Sequence, residues 1–141
     1  MKNILVYVEA AEGKAKNVGL EILTPAKVAA DGGEVIAVVI GKDVEDAAKQ
    51  AIAFGADKAV VVAGDDYEVY NTDVYTNALV EVVKKYAPKA VFVGATPDGK
   101  DLAAKAAAKV GSGCVTNVTG VALDGDKIVY TSPVYAGAVL N

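Results

Sequence analysis

The chain has 141 residues and a net charge of −4, and its 14 basic residues are all lysine, with no arginine and no histidine. The missing histidine excludes a Ser-His-Asp triad and any histidine metal ligand, and the missing arginine excludes a bidentate fork for phosphate or carboxylate. The acidic balance argues against a nucleic-acid partner, and the single cysteine, Cys114, excludes an internal disulfide and a multi-cysteine metal site.

Residues 1–141 are expected to form one domain, large enough to bury a core. No apolar run approaches the ~20 residues that span a bilayer, so an integral membrane protein is not expected. The opening "MKNILVYVEA" lacks a signal-peptide core and cleavage site, which makes the cytoplasm the expected location.

In chain order, "NILVYV" (3–8) is a continuous apolar run, as in a strand buried on both faces. Residues 17 to 31 read as a helix with Asn17 as its cap and Leu20, Ile22, Leu23 and Val28 on its apolar side. Pro25 either kinks that helix or, with Thr24, starts a second one. "EVIAVVI" (34–40) is a strand, followed by a helix over 43 to 54 with Asp43 at its N-terminus and Val44, Ala47, Ala48, Ala51 and Ile52 inward. "KAVVVA" (58–63) is the third strand, and "GDDYEVYNT" a polar loop. A third helix over 73 to 86 turns Val74, Ala78, Leu79, Val82 and Val83 inward, and Pro88 closes it. "AVFVGA" (90–95) is the fourth strand. "GKDLAAKAAAKVG" (99–111) is a small-residue helix with Lys100, Lys105 and Lys109 toward solvent.

The tail changes character. Residues 114–123 and 127–132 flank an Asp-Gly turn and read as a β-hairpin. "PVYAGAVLN" (133–141) then adds a strand whose exposed edge is expected to support self-association. The alternation predicts an α/β, doubly wound parallel sheet, a Rossmann-like three-layer sandwich with a C-terminal β-hairpin at 114–141. Ligands of such sheets bind at the carboxyl ends of the strands, where the strand order reverses. If the first and fourth strands are neighbours, the crevice lies between residues 8–16 and 94–101. Its candidate binding residues are Gly94, Thr96, Gly99, Lys100 and Asp101.

"GATPDGKD" (94–101) is one letter from a phosphate-binding loop: Gly94, Gly99 and Lys100 fit, but Asp101 stands where Ser or Thr would hold Mg²⁺. Like charges ~4 Å apart cost about 1 kcal/mol in water and more in a cleft, so a carboxylate there opposes phosphate. Asp101 as a helix cap or dipole partner is the plainer account.

"GATPDGKDLAAKAAAKVGSG" (94–113) resembles the signature of the N-terminal domain of the electron transfer flavoprotein alpha subunit: Gly-Ala-Thr, a Gly followed by a basic residue, Asp-Leu-Ala, then a small-residue helix ending near Gly-x-Gly. "NILVYVE" (3–9), "LEILTPAKVA" (20–29), "GGEVIAVVIG" (32–41), "FGADKAVVV" (54–62) and "SPVYAGAVLN" (132–141) are similar to its other segments in order. Ser132 stands where the family usually has Arg, and Ala136 where a Gly is usual. The resemblance implies a scaffold domain without catalytic residues, in an alpha–beta heterodimer that carries electrons on FAD. Flavin dehydrogenases would donate the electrons, and a membrane quinone oxidoreductase or similar acceptor would receive them. It also implies that FAD is held mostly by a second half of the alpha subunit that this sequence does not contain, and AMP by the beta subunit. No cofactor is then expected on this chain alone, which would be an N-terminal piece or a short relative.

Two other readings compete. A stand-alone AMP- or ATP-binding module of the same fold would carry a late phosphate loop, of which Gly111, Ser112, Gly113 and Thr116 are an echo. An enzyme with its own active site lacks any nucleophile–base pair. Glu9, Glu12, Asp98 and Asp101 can gather as a Mg²⁺ site or stand as solvated loop carboxylates, with Lys14 and Lys16 to offset them. Tyr67, Tyr70 and Tyr75 read as partial core packing or as a docking patch.

Overall fold

A computed structural model describes residues 3–94, 96–110, 114–124 and 127–139. The elements are β1 (Ile4–Tyr7), β2 (Ala10–Ala11), β3 (Lys14–Ala15), α1 (Asn17–Ala30), β4 (Val35–Gly41), α2 (Glu45–Ala53), β5 (Lys58–Ala63), a short 3₁₀ turn (Asp65–Tyr67), α3 (Thr72–Tyr86), β6 (Ala90–Gly94), α4 (Pro97–Val110), β7 (Cys114–Asp124) and β8 (Lys127–Val139). The main sheet has the order β5-β4-β1-β6-β8-β7. Its first four strands are parallel, and β8 runs antiparallel to both β6 and β7.

The apolar strands divide between two cores with a period of two. Ile4, Val6, Val8, Val35, Ala37, Val39 and Phe92 face α1 and α2. Leu5, Tyr7, Ile36, Val38, Ile40, Val91 and Val93 face α3 and α4. This is the predicted three-layer α/β architecture, with the first and fourth long strands side by side: Val6 is in register with Phe92 on one flank and Ala37 on the other.

Several local expectations are corrected. Lys16, not Asn17, holds the cap position of α1, and that helix runs unbroken through Pro25. The amide missing at Pro25 would have bonded to the carbonyl of Glu21, an exposed residue, so water can serve that oxygen. Val28 and Ile52 are half exposed rather than inward. Asp43 lies outside α2 with φ of 55°, and Glu45 and Asp46 occupy the acidic first turn. Residues 10–15 are not an open loop but the hairpin β2–β3, turned by Glu12 and Gly13, both at positive φ.

The C-terminal segment differs most. Its hairpin forms as expected, with Asp124 opposite Lys127. However, β8 is one strand from Lys127 to Val139, and it pairs with β6 on one side and β7 on the other. Folding the hairpin back beside β6 gives Tyr135–Val139 a strand on each side, and the free edge expected along 133–141 lies at β7 instead.

Helix ends are closed locally. The Asn71 side chain accepts the Val74 amide at 3.1 Å, and Ala87 ends α3 in the left-handed conformation just before Pro88. Leu79 is fully buried between α3, the sheet and α4. Leu79→Ala should therefore cost about 2–5 kcal/mol in urea unfolding, whereas Val28→Ala should stay within about 1 kcal/mol. Equal losses would contradict the two-layer burial.

Candidate functional site

The end of β1 is where apolar burial stops. Val8 is buried and its amide bonds to the Val38 carbonyl at 2.9 Å. Glu9 follows at 8% exposure. Its carboxylate accepts the Thr96 hydroxyl at 2.6 Å and forms an ion pair with Lys16. That bond is the main cause holding the Lys16 ammonium above the ordinary lysine value. The Thr96 hydroxyl in turn accepts the Gly99 amide at 3.0 Å, and the Thr96 carbonyl accepts the Lys100 amide at 2.8 Å. Thr96 thus caps α4 while tying it to β1 and to the residue that starts α1.

The surrounding backbone is close-packed. A Cβ on Gly99 would lie 2.1 Å from the Gly94 carbonyl oxygen, and one on Gly94 would lie 2.9 Å from a methyl of Val18. A Cβ on Gly19 would meet the Val8 Cα at 3.0 Å. At the crevice between β1 and β6, Val18 packs on Gly94 and the Lys16–Glu9–Thr96 chain joins the ends of the strands. Because α4 begins at Pro97, only residues 95 and 96 separate it from β6. Two amides that a phosphate loop would offer, those of Gly99 and Lys100, are already bonded to Thr96.

Asp101 lies in the second turn of α4, so it is neither cap nor first-turn dipole partner. Its Oδ2 accepts the Thr72 hydroxyl at 2.6 Å and the Tyr70 hydroxyl at 2.7 Å. The Thr72 bond first, and the Tyr70 bond second, hold its carboxyl below the ordinary aspartate value. Burial, and then the bond to Asp101, push the Tyr70 phenol far up. Lys100 is exposed. Of the five candidate residues, Gly94, Thr96 and Gly99 come together, while Lys100 and Asp101 point elsewhere.

The tyrosines pack inward. Tyr75 is buried and meets Tyr70 edge-on with ring centroids 5.0 Å apart and Tyr67 at 5.9 Å. Its hydroxyl donates to the Tyr67 carbonyl at 2.5 Å. Tyr7 lies in the same core, its phenol pushed well up by burial and then by the Glu9 charge. The four carboxylates do not assemble: Glu9 and Asp101 have separate partners, and no three acidic residues gather in a metal-binding group among the described residues. Lys14 pairs with Asp46 at 3.0 Å rather than with that group. Gly111, Ser112 and Gly113 lie outside the described residues, and Thr116 falls within β7.

An open cavity of about 490 Å³ sits on the other flank of β1, at the carboxyl ends of β1 and β4. Ile40 and Gly41 form part of it, with Glu12, Lys42, Asp43, Tyr67, Glu68 and Tyr75 around them. None of the five candidate residues lines it. Three carboxylates face one cation, and that cation, Lys42, lies 3.5 Å from Asp65. The rim therefore repels anions. The rule that ligands sit at strand ends could have pointed here, had residues 40–44 been weighed with 8–16.

Known proteins resemble the chain throughout its length. The model of the electron transfer flavoprotein domain matches residues 4–141. Electron transfer flavoprotein subunit alpha of Bacillus subtilis is 32% identical over 136 residues, covering 96% of this chain and 42% of that subunit. Its counterpart in Megasphaera elsdenii is 37% identical over 143 residues, covering 99% of this chain and 42% of that subunit. The acryloyl-CoA reductase electron transfer subunit beta of Anaerotignum propionicum is 32% identical over 130 residues, covering 91% and 35%. The chain therefore spans less than half the length of these relatives.

Two variants test the strand-end geometry. Thr96→Val removes the cap and a donor to a buried carboxylate, and should cost about 1–3 kcal/mol where Thr96→Ser costs little. Asp101 has a lowered folded pKa, so its contribution is present above the ordinary value of 3.8 and lost as pH falls through the folded value. Asp101→Asn should be less stable than the parent at pH 7, with the gap closing in acid. A gap independent of pH would rule out the charge as its cause.

Proposed function

This chain belongs to the electron transfer flavoprotein family, and we propose that it is the N-terminal scaffold domain of an alpha-type subunit. The match to alpha subunits over nearly the whole chain, but under half of theirs, carries the reading. In it the chain provides no redox group. It packs against a beta-type subunit and frames FAD held by the remainder of a longer alpha subunit. The assembled heterodimer would take electrons from flavin dehydrogenases in the cytoplasm and deliver them to a membrane quinone oxidoreductase or a similar acceptor. Among the described residues no helix is long and apolar enough to cross a membrane.

The described residues do not fit a dinucleotide. Val18 packs on Gly94 beside the strand ends, the Gly99 and Lys100 amides are spent on Thr96, and the open cavity has an acidic rim. A pyrophosphate would meet carboxylates there rather than amides or cations. In this reading the domain's part is mechanical. Part-buried bonds to Glu9 and Asp101 tie α4 to the end of β1 and to the start of α3, so the surface offered to the partner keeps its shape.

The cavity at the ends of β1 and β4 favours one second reading, an adenine-nucleotide module, because of its position and its two tyrosines, Tyr67 and Tyr75. Denaturing the purified chain and analysing the supernatant by absorbance and mass spectrometry separates the two. The scaffold reading expects neither flavin nor nucleotide, and expects the chain to co-purify with a beta-type subunit when the two are co-expressed. Release of AMP or ATP would favour the nucleotide module, and release of flavin would overturn the assignment of FAD to the rest of the subunit.

A further inference from the structure

One-electron oxidation has few places to go in this chain, which has no tryptophan, one cysteine and one methionine, but seven tyrosines. Three of these, Tyr67, Tyr70 and Tyr75, gather around the first turn of α3. Their rings form a short ladder. Tyr67 and Tyr75 have centroids 5.9 Å apart, and Tyr75 and Tyr70 5.0 Å, both edge to face. Rings in contact exchange an electron without any movement of the chain. Tyr67 and Tyr75 also line the open cavity of about 490 Å³, so the ladder has one end within reach of solvent.

The phenols differ in where a proton can go. A tyrosine that gives up an electron becomes a strong acid, and the vacancy settles only where a base takes the hydroxyl proton. The Tyr75 hydroxyl donates to the Tyr67 carbonyl, and a peptide carbonyl is too weak a base to keep a proton. The Tyr70 hydroxyl instead donates to Oδ2 of Asp101 at 2.7 Å, a short, charge-assisted bond. The bonds from Thr72 and then Tyr70 hold that carboxyl below the ordinary aspartate value, so it is a carboxylate at neutral pH. Against an oxidised phenol even a weak carboxylate is base enough. Before oxidation the proton stays on Tyr70, whose phenol is pushed far up by burial and then by Asp101. Proton and electron must therefore leave together.

We propose that Tyr70 is a one-electron oxidation site, the trap at which oxidation of the tyrosine ladder ends, with Asp101 as its proton acceptor. The oxidant is a neutral or cationic one-electron acceptor such as nitrogen dioxide, because the acidic rim of the cavity repels anions. It takes one electron from Tyr67 or Tyr75 and leaves reduced, as nitrite in that example. Tyr70 supplies the missing electron, and its O–H bond breaks as the proton bonds to Asp101. In sum, one phenol, one carboxylate and one oxidant become one tyrosyl radical, one carboxylic acid and one reduced oxidant. Oxidation thereby ends at half-buried Tyr70 rather than at Tyr7, which lies in the same core at 2% exposure.

Flash photolysis of the 141-residue chain tests this, with tris(bipyridyl)ruthenium as a cationic photo-oxidant and a cobalt(III) ammine as its irreversible electron acceptor. Transient absorption follows the radical, and electron paramagnetic resonance of frozen samples identifies it. A tyrosyl signal is expected that Tyr70→Phe removes, and it should form more slowly in heavy water, because an O–H bond breaks in the step. Asp101→Asn should slow its formation about a hundredfold, the scale of a positioned general base. Thr72→Val also removes a bond to Asp101 but leaves the base in place, and should keep the radical at Tyr70. That contrast separates loss of the base from loosening of α3 against α4, with circular dichroism reporting the fold of each variant. Should Asp101→Asn fail to fold, the isotope effect and Tyr70→Phe still decide. A signal unchanged in Tyr70→Phe, or a rate indifferent to heavy water and to Asp101→Asn, overturns the proposal.

Discussion

The parallel part of the sheet is roofed on both faces, and most of the molecule follows from that. Neither side of β1, β4 or β6 is open to water, so neither side can carry a polar group without a partner. Ile4, Val6 and Val8 go to one core and Leu5 and Tyr7 to the other. The helices that cover them must come close, which is why Ala26, Ala47, Ala51, Ala103 and Ala106 form so much of the contact. Polar chemistry is displaced to the ends of the strands. Glu9 is the first residue of its run at which a charge becomes affordable, and three elements converge on it.

The parts of this fold that depend on local pattern were legible. Continuous apolar runs marked the four parallel strands, and β5 has the predicted bounds. The Asp-Gly pair marked the C-terminal hairpin. What was not legible depends on which elements become neighbours. The Glu-Gly turn of β2–β3 lacks a strong hairpin signature, and it is held by tertiary bonds: the Ala15 amide donates to the Gln50 side chain at 2.9 Å, and Lys14 pairs with Asp46. Pro25 looked like a break, but packing of Ile22, Leu23, Ala26 and Ala29 outweighs one missing hydrogen bond. The place of β8 between β6 and β7 is a matter of topology that no local pattern encodes.

The candidate site divides in the same way. The spacing of Gly94 and Gly99 signalled a tight strand-to-helix step: the close backbone approach there requires Gly99 to lack a side chain, and Gly94 leaves room for a Val18 methyl. The groups that decide the chemistry of this step lie far off in the chain. Glu9 reaches Thr96 across 87 residues, and Asp101 is held by Thr72 and Tyr70 from 29 and 31 residues away. In the scaffold reading these bonds suit a domain whose task is to hold shape, because each joins elements from different parts of the chain.

The cap at Thr96 also bears on how such a chain could change its trade. Exchanging Asp101 for Ser or Thr would complete the phosphate-loop pattern letter by letter, and a motif scan would then report a nucleotide site. The molecule would be no nearer to having one. The amides that would cradle a phosphate belong to the first turn of α4, and freeing them means unwinding that turn, releasing Glu9 and opening the contact of Gly99 with Gly94. A single-letter distance in sequence is here a separation of several coupled steps, each harmful before the last is taken.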